Sequence, residues 1–209
     1  MTLAWCSNSF SGASIRPGNG EPGVSIMHWP SEQPANNVYR VKAPTRLSLH
    51  QPAKEVGRWG FEVSDEEDSF QWFKLGLMHP DDLGDLFDDR FGCWPIQLKV
   101  AETLQRINHV RVADLVKTYL QHLWAHILGE IVSTFGVQDE QVSELELHVV
   151  IGIPANWNRA AVARLRDAAQ EAGVPGYGNR SSSLRFCTEP EAATMALVEH
   201  HHVSPDLAV

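Results

Sequence analysis

Residues 145–201 read LELHVVIGIPANWNRAAVARLRDAAQEAGVPGYGNRSSSLRFCTEPEAATMALVEHH, and the fold is decided here. Residues 145–153 form a strand pattern whose last members are nearly all apolar, as in a strand covered on both faces. Pro154 stops it. Asn156 or Asn158 is placed to cap a helix that runs to about Ala172, with Gly173 as its stop. A loop over residues 174–183 leads to a second strand at residues 184–188. Glu189-Pro190 ends that strand, and a last helix spans residues 191–201. Strand, helix, strand, helix is the pattern of two parallel strands joined by a crossover. Ligands in such sheets sit at the carboxyl ends of the strands. Pro154 and Glu189 occupy two such ends and are the first site candidates.

Upstream, residues 112–135 carry apolar side chains at steps of three and four, from Val112 through Tyr119, Leu123 and Ile127 to Phe135. This spacing predicts one long helix, stopped by Gly136. A shorter helix is expected at residues 97–107. His122 and His126 share a face, but the glutamate of a zinc-binding HExxH motif is absent, so polar-face histidines are expected.

The pattern changes near residue 95. Residues 7–24 read as a turn-filled loop. Residues 24–29, 38–41, 45–49 and 59–63 read as short strands of a small, mostly antiparallel sheet. Ser64 with Glu67 matches a capping box, and four acids at 65–68 suit a first turn, so a short helix to Leu77 is expected. The Asp pairs of residues 79–95 read as solvated loop charge.

The composition narrows the function. The chain has 209 residues, a net charge of −9, and 26 acids against 17 bases. Phosphate neutralisation needs clustered Lys and Arg, and none is present, so neither nucleic acid nor an anionic membrane is an expected partner. Nothing approaches the roughly 18 apolar residues of a membrane span, and no secretory signal opens the chain. Cys6, Cys93 and Cys187 are odd in number, with no CxxC pair. Reduced thiols in a cytoplasmic or nuclear protein are expected. No GxSxG elbow marks a hydrolase.

The run VVIGIPANWNRAAVARLRDAAQEAGV at residues 149–174, followed by LRFCTEPEAATMALV at residues 184–198, resembles the 70 kDa heat-shock chaperones and the actin-like ATPases. In that family a strand ends in Val-Pro-Ala, a helix follows, and the next strand ends in Asn-Glu-Pro before an Ala-rich helix. Lys42-Ala43-Pro44-Thr45, residues 58–63 (RWGFEV) and residues 71–75 (QWFKL) are similar to the divergent, fungal-type branch. The resemblance implies an α/β fold: an incomplete first lobe of a ribonuclease H-like ATPase domain over residues 1–209. Residues 1–95 would form its irregular β-rich part, and 96–209 its helix plus β-α-β-α part.

It also implies a chemistry. Two lobes close on Mg-ATP, whose phosphates lie in glycine-rich turns, and hydrolysis is coupled to conformational change. Lys74 stands where the family has a lysine near the terminal phosphate. Glu189 stands at the glutamate that orients metal-bound water, and Pro154 at a proline that relays nucleotide state. Co-chaperones or client proteins are the implied partners. The expected departures are as telling. Gly152 replaces a threonine. No Asp-x-Gly-Thr-Thr turn is present. Leu3-Ala4-Trp5 resembles the strand just after it, and residues 205–209 resemble the strand leading to the second glycine turn. Both turns and the second lobe are therefore expected outside this chain, which by itself should be inactive. The alternative is a non-catalytic interaction or scaffold module, in which the long helix lends an apolar stripe to a partner.

Overall fold

The computed structural model describes residues 2–5, 10–31, 38–48, 57–78, 111–175 and 181–203. The expected helix at 97–107 and the loop at 79–95 lie outside them. The chain is mixed α/β. Its main sheet has three parallel strands: β1 (Thr2–Trp5), β10 (His148–Ile153) and β11 (Ser183–Thr188), in the order β1-β10-β11. Between β1 and β10 the described residues form eight short strands. They are β2 (Phe10–Ser11), β3 (Ser14–Ile15), β4 (Val24–Ser25), β5 (His28–Trp29), β6 (Val38–Tyr39), β7 (Ala43–Pro44), β8 (Arg46–Ser48) and β9 (Ser69–Gln71). They pair antiparallel in twos: β2 with β7, β3 with β4, β5 with β6, and β8 with β9.

The helices follow the sequence closely. Helix α1 (Val112–Phe135) has the expected bounds, and Gly136 caps it at φ 64°, a left-handed conformation that glycine adopts without strain. Its buried side chains are Leu115, Val116, Tyr119, Leu120, Leu123, Trp124, Ile127 and Ile131, one face at helical spacing. Asp114 sits in the first turn and accepts hydrogen bonds from the Arg111 side chain, which holds its carboxyl below the usual range. A single turn, α2 (Asp139–Val142), precedes β10. Helix α3 (Arg159–Glu171) makes the crossover from β10 to β11, and α4 (Glu189–Val203) ends the described chain.

Four expectations are corrected. Residues 7–24 are not all loop, since β2, β3 and β4 form there. Residues 59–63 form no strand. Gly60 turns the chain at φ 59°, leaving only single bridges from Trp59 to Leu47 and from Phe61 to Ser31. No helix spans 64–77. Instead Asp65 pairs with Arg46 and Glu67 with Arg58, each at 2.6 Å, and β9 and a 3-10 turn (Phe73–Leu77) follow. Glu67, the acid a capping box would need, is spent on Arg58 rather than on a helix start.

The fourth correction concerns the long helix. It lends no exposed stripe, because its apolar face is the core. One hydrophobic cluster joins both halves of the sequence, with Ile15, Trp29, Leu47, Trp59 and Phe73 against Tyr119, Leu120, Ile127, Ile151 and Leu165. Trp59 meets Tyr119 edge-on at 5.7 Å between ring centroids. The buried Tyr119 hydroxyl donates to Pro44 O at 3.4 Å, and burial pushes its pKa up to about 12.

Candidate strand-end site

Parallel pairing fixes the site. Ile153 stands opposite Thr188, the last residues of β10 and β11. The next residues, Pro154 and Glu189, therefore leave adjacent strands at the same end. Trp5 pairs with Ile151 and closes β1 at that end too. Proline has no N–H to continue the ladder, which is why β10 stops there. Pro154 O accepts a hydrogen bond from Trp157 N at 3.2 Å, turning the chain sharply. Asn158 then caps α3, its Oδ1 accepting from Ala161 N at 2.8 Å.

Lys74 reaches the same strand end from beneath. Its side chain is fully buried, and Nζ donates to Gly152 O at 3.1 Å. The ammonium also lies 5.4 Å from the centre of the Trp157 ring, a cation–π distance. A buried cation is tolerated only with such partners. Two features aim it. Trp72, at φ 62°, has a left-handed backbone and starts the 3-10 turn. At the turn's far end, Arg164 Nη1 donates to Leu77 O at 2.7 Å, tying it to α3. Trp157 is itself buried, and its indole N–H finds no acceptor among the described residues. An orphaned buried donor is uncommon and calls for a reason.

Glu189 is left free by its neighbours. The first turn of α4 is capped by Thr188 and Glu191. Glu191 Oε2 accepts from Thr188 N at 2.9 Å and from Thr188 Oγ1 at 2.8 Å, while Thr188 Oγ1 accepts from Glu191 N at 3.4 Å. This is a reciprocal capping box. The Thr188 N–H, with its hydroxyl second, holds the Glu191 carboxyl below the ordinary value. Glu189 is half-buried, and its side chain makes no hydrogen bond or ion pair among the described residues. Beside it, burial and then Glu191 raise the Cys187 thiol.

Lys74, Pro154 and Glu189 are thus gathered at one end of one sheet. Lys74 is not on the surface, and Glu189 is not the helix cap. Sequence reasoning missed Trp157 and the Thr188–Glu191 box, although Thr-x-x-Glu is the signature of such a box. It also misread the histidines as polar-face residues. His126 Nε2 meets His28 O at 2.8 Å, and His122 stacks on Trp59 at 6.1 Å.

The strand ends alone do not complete a site for Mg-ATP. Lys74 points its ammonium at a backbone carbonyl, Glu189 is a lone carboxylate, and among the described residues no three His, Cys, Asp or Glu are grouped to hold a metal ion. Among the described residues, no helix is long and apolar enough to cross a membrane. Compared with known proteins, the chain matches no protein-family model and no curated protein.

Proposed function

We propose that this chain is part of the first lobe of an actin-like ATPase of the heat-shock 70 kDa kind, in a form that does not turn over ATP by itself. The carrying observation is the Ile153–Thr188 register, which sets Pro154 and Glu189 side by side. Three further features support it. The carboxyl ends of parallel strands are where such sheets take ligands. Among the described residues, the Glu189 carboxylate has no hydrogen bond or ion pair. Lys74 meets Gly152 O near the end of β10 and lies over the Trp157 ring, whose N–H has no acceptor among the described residues.

Silence follows from the phosphate side. Phosphoryl transfer depends on positioning and charge stabilisation, and converging backbone N–H groups of glycine-rich turns supply most of it in this family. The sequence contains no Asp-x-Gly-Thr-Thr run. On this reading Leu3-Ala4-Trp5 matches the strand just after such a turn. Losing one donor at a transition state costs about 3 to 4 kcal/mol, so losing a whole turn removes measurable hydrolysis. Phosphate release by the purified chain with Mg-ATP tests this. No release above the buffer rate is expected. Metal-dependent release that disappears in Glu189→Ala would overturn the silence while supporting the site.

A second reading has its own observation. On α4, Met195, Leu197 and Val198 are 68%, 63% and 50% exposed. Apolar side chains grouped in this way mark interaction surfaces. They favour a scaffold module that docks a protein partner such as an intact chaperone. Leu197→Lys would abolish such docking and leave nucleotide behaviour unchanged.

A further inference from the structure

A concavity lies among the short antiparallel strands. Its volume is about 390 Å³, at the small end of the range for ligand pockets. Phe10, Phe61 and Trp72 supply aromatic walls, and Arg46 and Asp65 supply charge. None of Lys74, Pro154 or Glu189 takes part in it.

The charges are unequal. The Arg46 side chain is only 13% exposed, whereas Asp65 is 93% exposed. Arg46 is held in place from behind, its Nε donating to Gly60 O at 2.9 Å and its Nη1 to Asp65 at 2.6 Å. An ion pair whose acid stands in water is worth little, because solvent competes for that carboxylate and its side chain swings freely. Arg46 is therefore a fixed cation in a half-closed pocket, with a partner that is easily exchanged. Guanidinium binds carboxylates through a planar fork and does so best where water is scarce. The aromatic walls offer faces and edges to a flat ring. Phe10, one of the lining residues, is 47% exposed.

The backbone adds an independent sign. Trp72 is the only non-glycine residue at positive φ among the described residues, at φ 62° and ψ 6°. A bulky side chain in that region carries strain, and strain of this sort gathers where a side chain must be aimed. Here it helps set the Trp72 indole in the pocket wall while Lys74, two residues on, turns into the core.

We propose that this pocket binds a small planar aromatic carboxylate of one or two rings. Its carboxylate replaces Asp65 on Arg46, and its ring packs among Phe10, Phe61 and Trp72. Binding is non-covalent and independent of nucleotide.

Calorimetric titration with 2-naphthoate, and with the neutral 2-naphthalenemethanol as control, tests this. The acid is expected to bind once per chain and about tenfold or more tighter than the alcohol. Asp65→Asn, a change at an exposed side chain, frees Arg46 and should tighten the acid several-fold without affecting the alcohol. Phe10→Ala should weaken both. Arg46→Gln should remove the preference for the acid, with far-UV circular dichroism reporting whether that variant is folded. If Arg46→Gln unfolds, Asp65→Asn still decides the matter. Absence of saturable binding to wild type, equal binding of acid and alcohol, or indifference of the acid to Asp65→Asn would each overturn the proposal.

Discussion

Ile153 and Thr188 are partners in register on adjacent parallel strands, and the residue after each is a candidate for function. One is a proline that ends its strand. The other is a glutamate that opens a helix without capping it. The division of labour between Glu189 and Glu191 follows from this. Glu191 completes the capping box, and the Glu189 side chain has no partner among the described residues. Glu191→Ala is expected to lower the melting temperature and speed amide exchange in the first turn of α4. Glu189→Ala should leave both within error. Equal effects from the two would remove the reason for setting Glu189 apart.

Lys74 should behave as a core residue. Lys74→Ala leaves Gly152 O without its donor and opens a cavity, with an expected loss of about 3 kcal/mol. Lys74→Met keeps most of the volume and should lose only about 1 to 2 kcal/mol. Urea unfolding monitored by tryptophan fluorescence checks the order. A harmless Lys74→Ala would mean that the ammonium is in water.

The two histidines of α1 predict an acid sensitivity. Burial lowers the pKa of both His122 and His126. For His126 the His28 carbonyl, Glu130 and Glu62 oppose the shift, and His122 faces the Trp59 ring. The unfolded chain takes up protons near pH 6.5, before the folded chain does. Stability is therefore complete above that value and falls as pH drops through it toward the lower folded values. Urea midpoints should decline from about pH 8 to about pH 5, well before the carboxylates titrate. His122→Gln should flatten part of that decline. A midpoint that rises on acidification would contradict the burial of these rings.

Helix α1 was legible in the sequence because its apolar face persists along the whole helix and ends at a glycine. The β10-α3-β11 unit was legible because proline, asparagine and glycine mark its boundaries. The N-terminal strands were not. Most are two residues long, and partners far along the chain settle them, as when Phe10 pairs with Pro44. The helix read into residues 64–77 failed because Glu67, the acid its capping box needed, is held by a distant arginine. Asp65 and Glu67 reach Arg46 and Arg58, and no propensity reveals that competition. At the site, strand order brought Pro154 and Glu189 together as the sequence implied. The burial of Lys74 depended on Gly152, 78 residues away, although the apolar neighbours Phe73, Leu75 and Leu77 were a visible hint.

The most direct test is residue-by-residue NMR of the isotope-labelled chain during a Mg-ATP titration into the millimolar range. A cleft wall at the sheet's carboxyl end predicts small, saturable shifts confined to residues 152–157 and 187–191 and to the Trp157 indole N–H, absent in Glu189→Ala. Shifts scattered over the surface, or centred on the amino ends of β10 and β11 near His148 and Ser183, would contradict it.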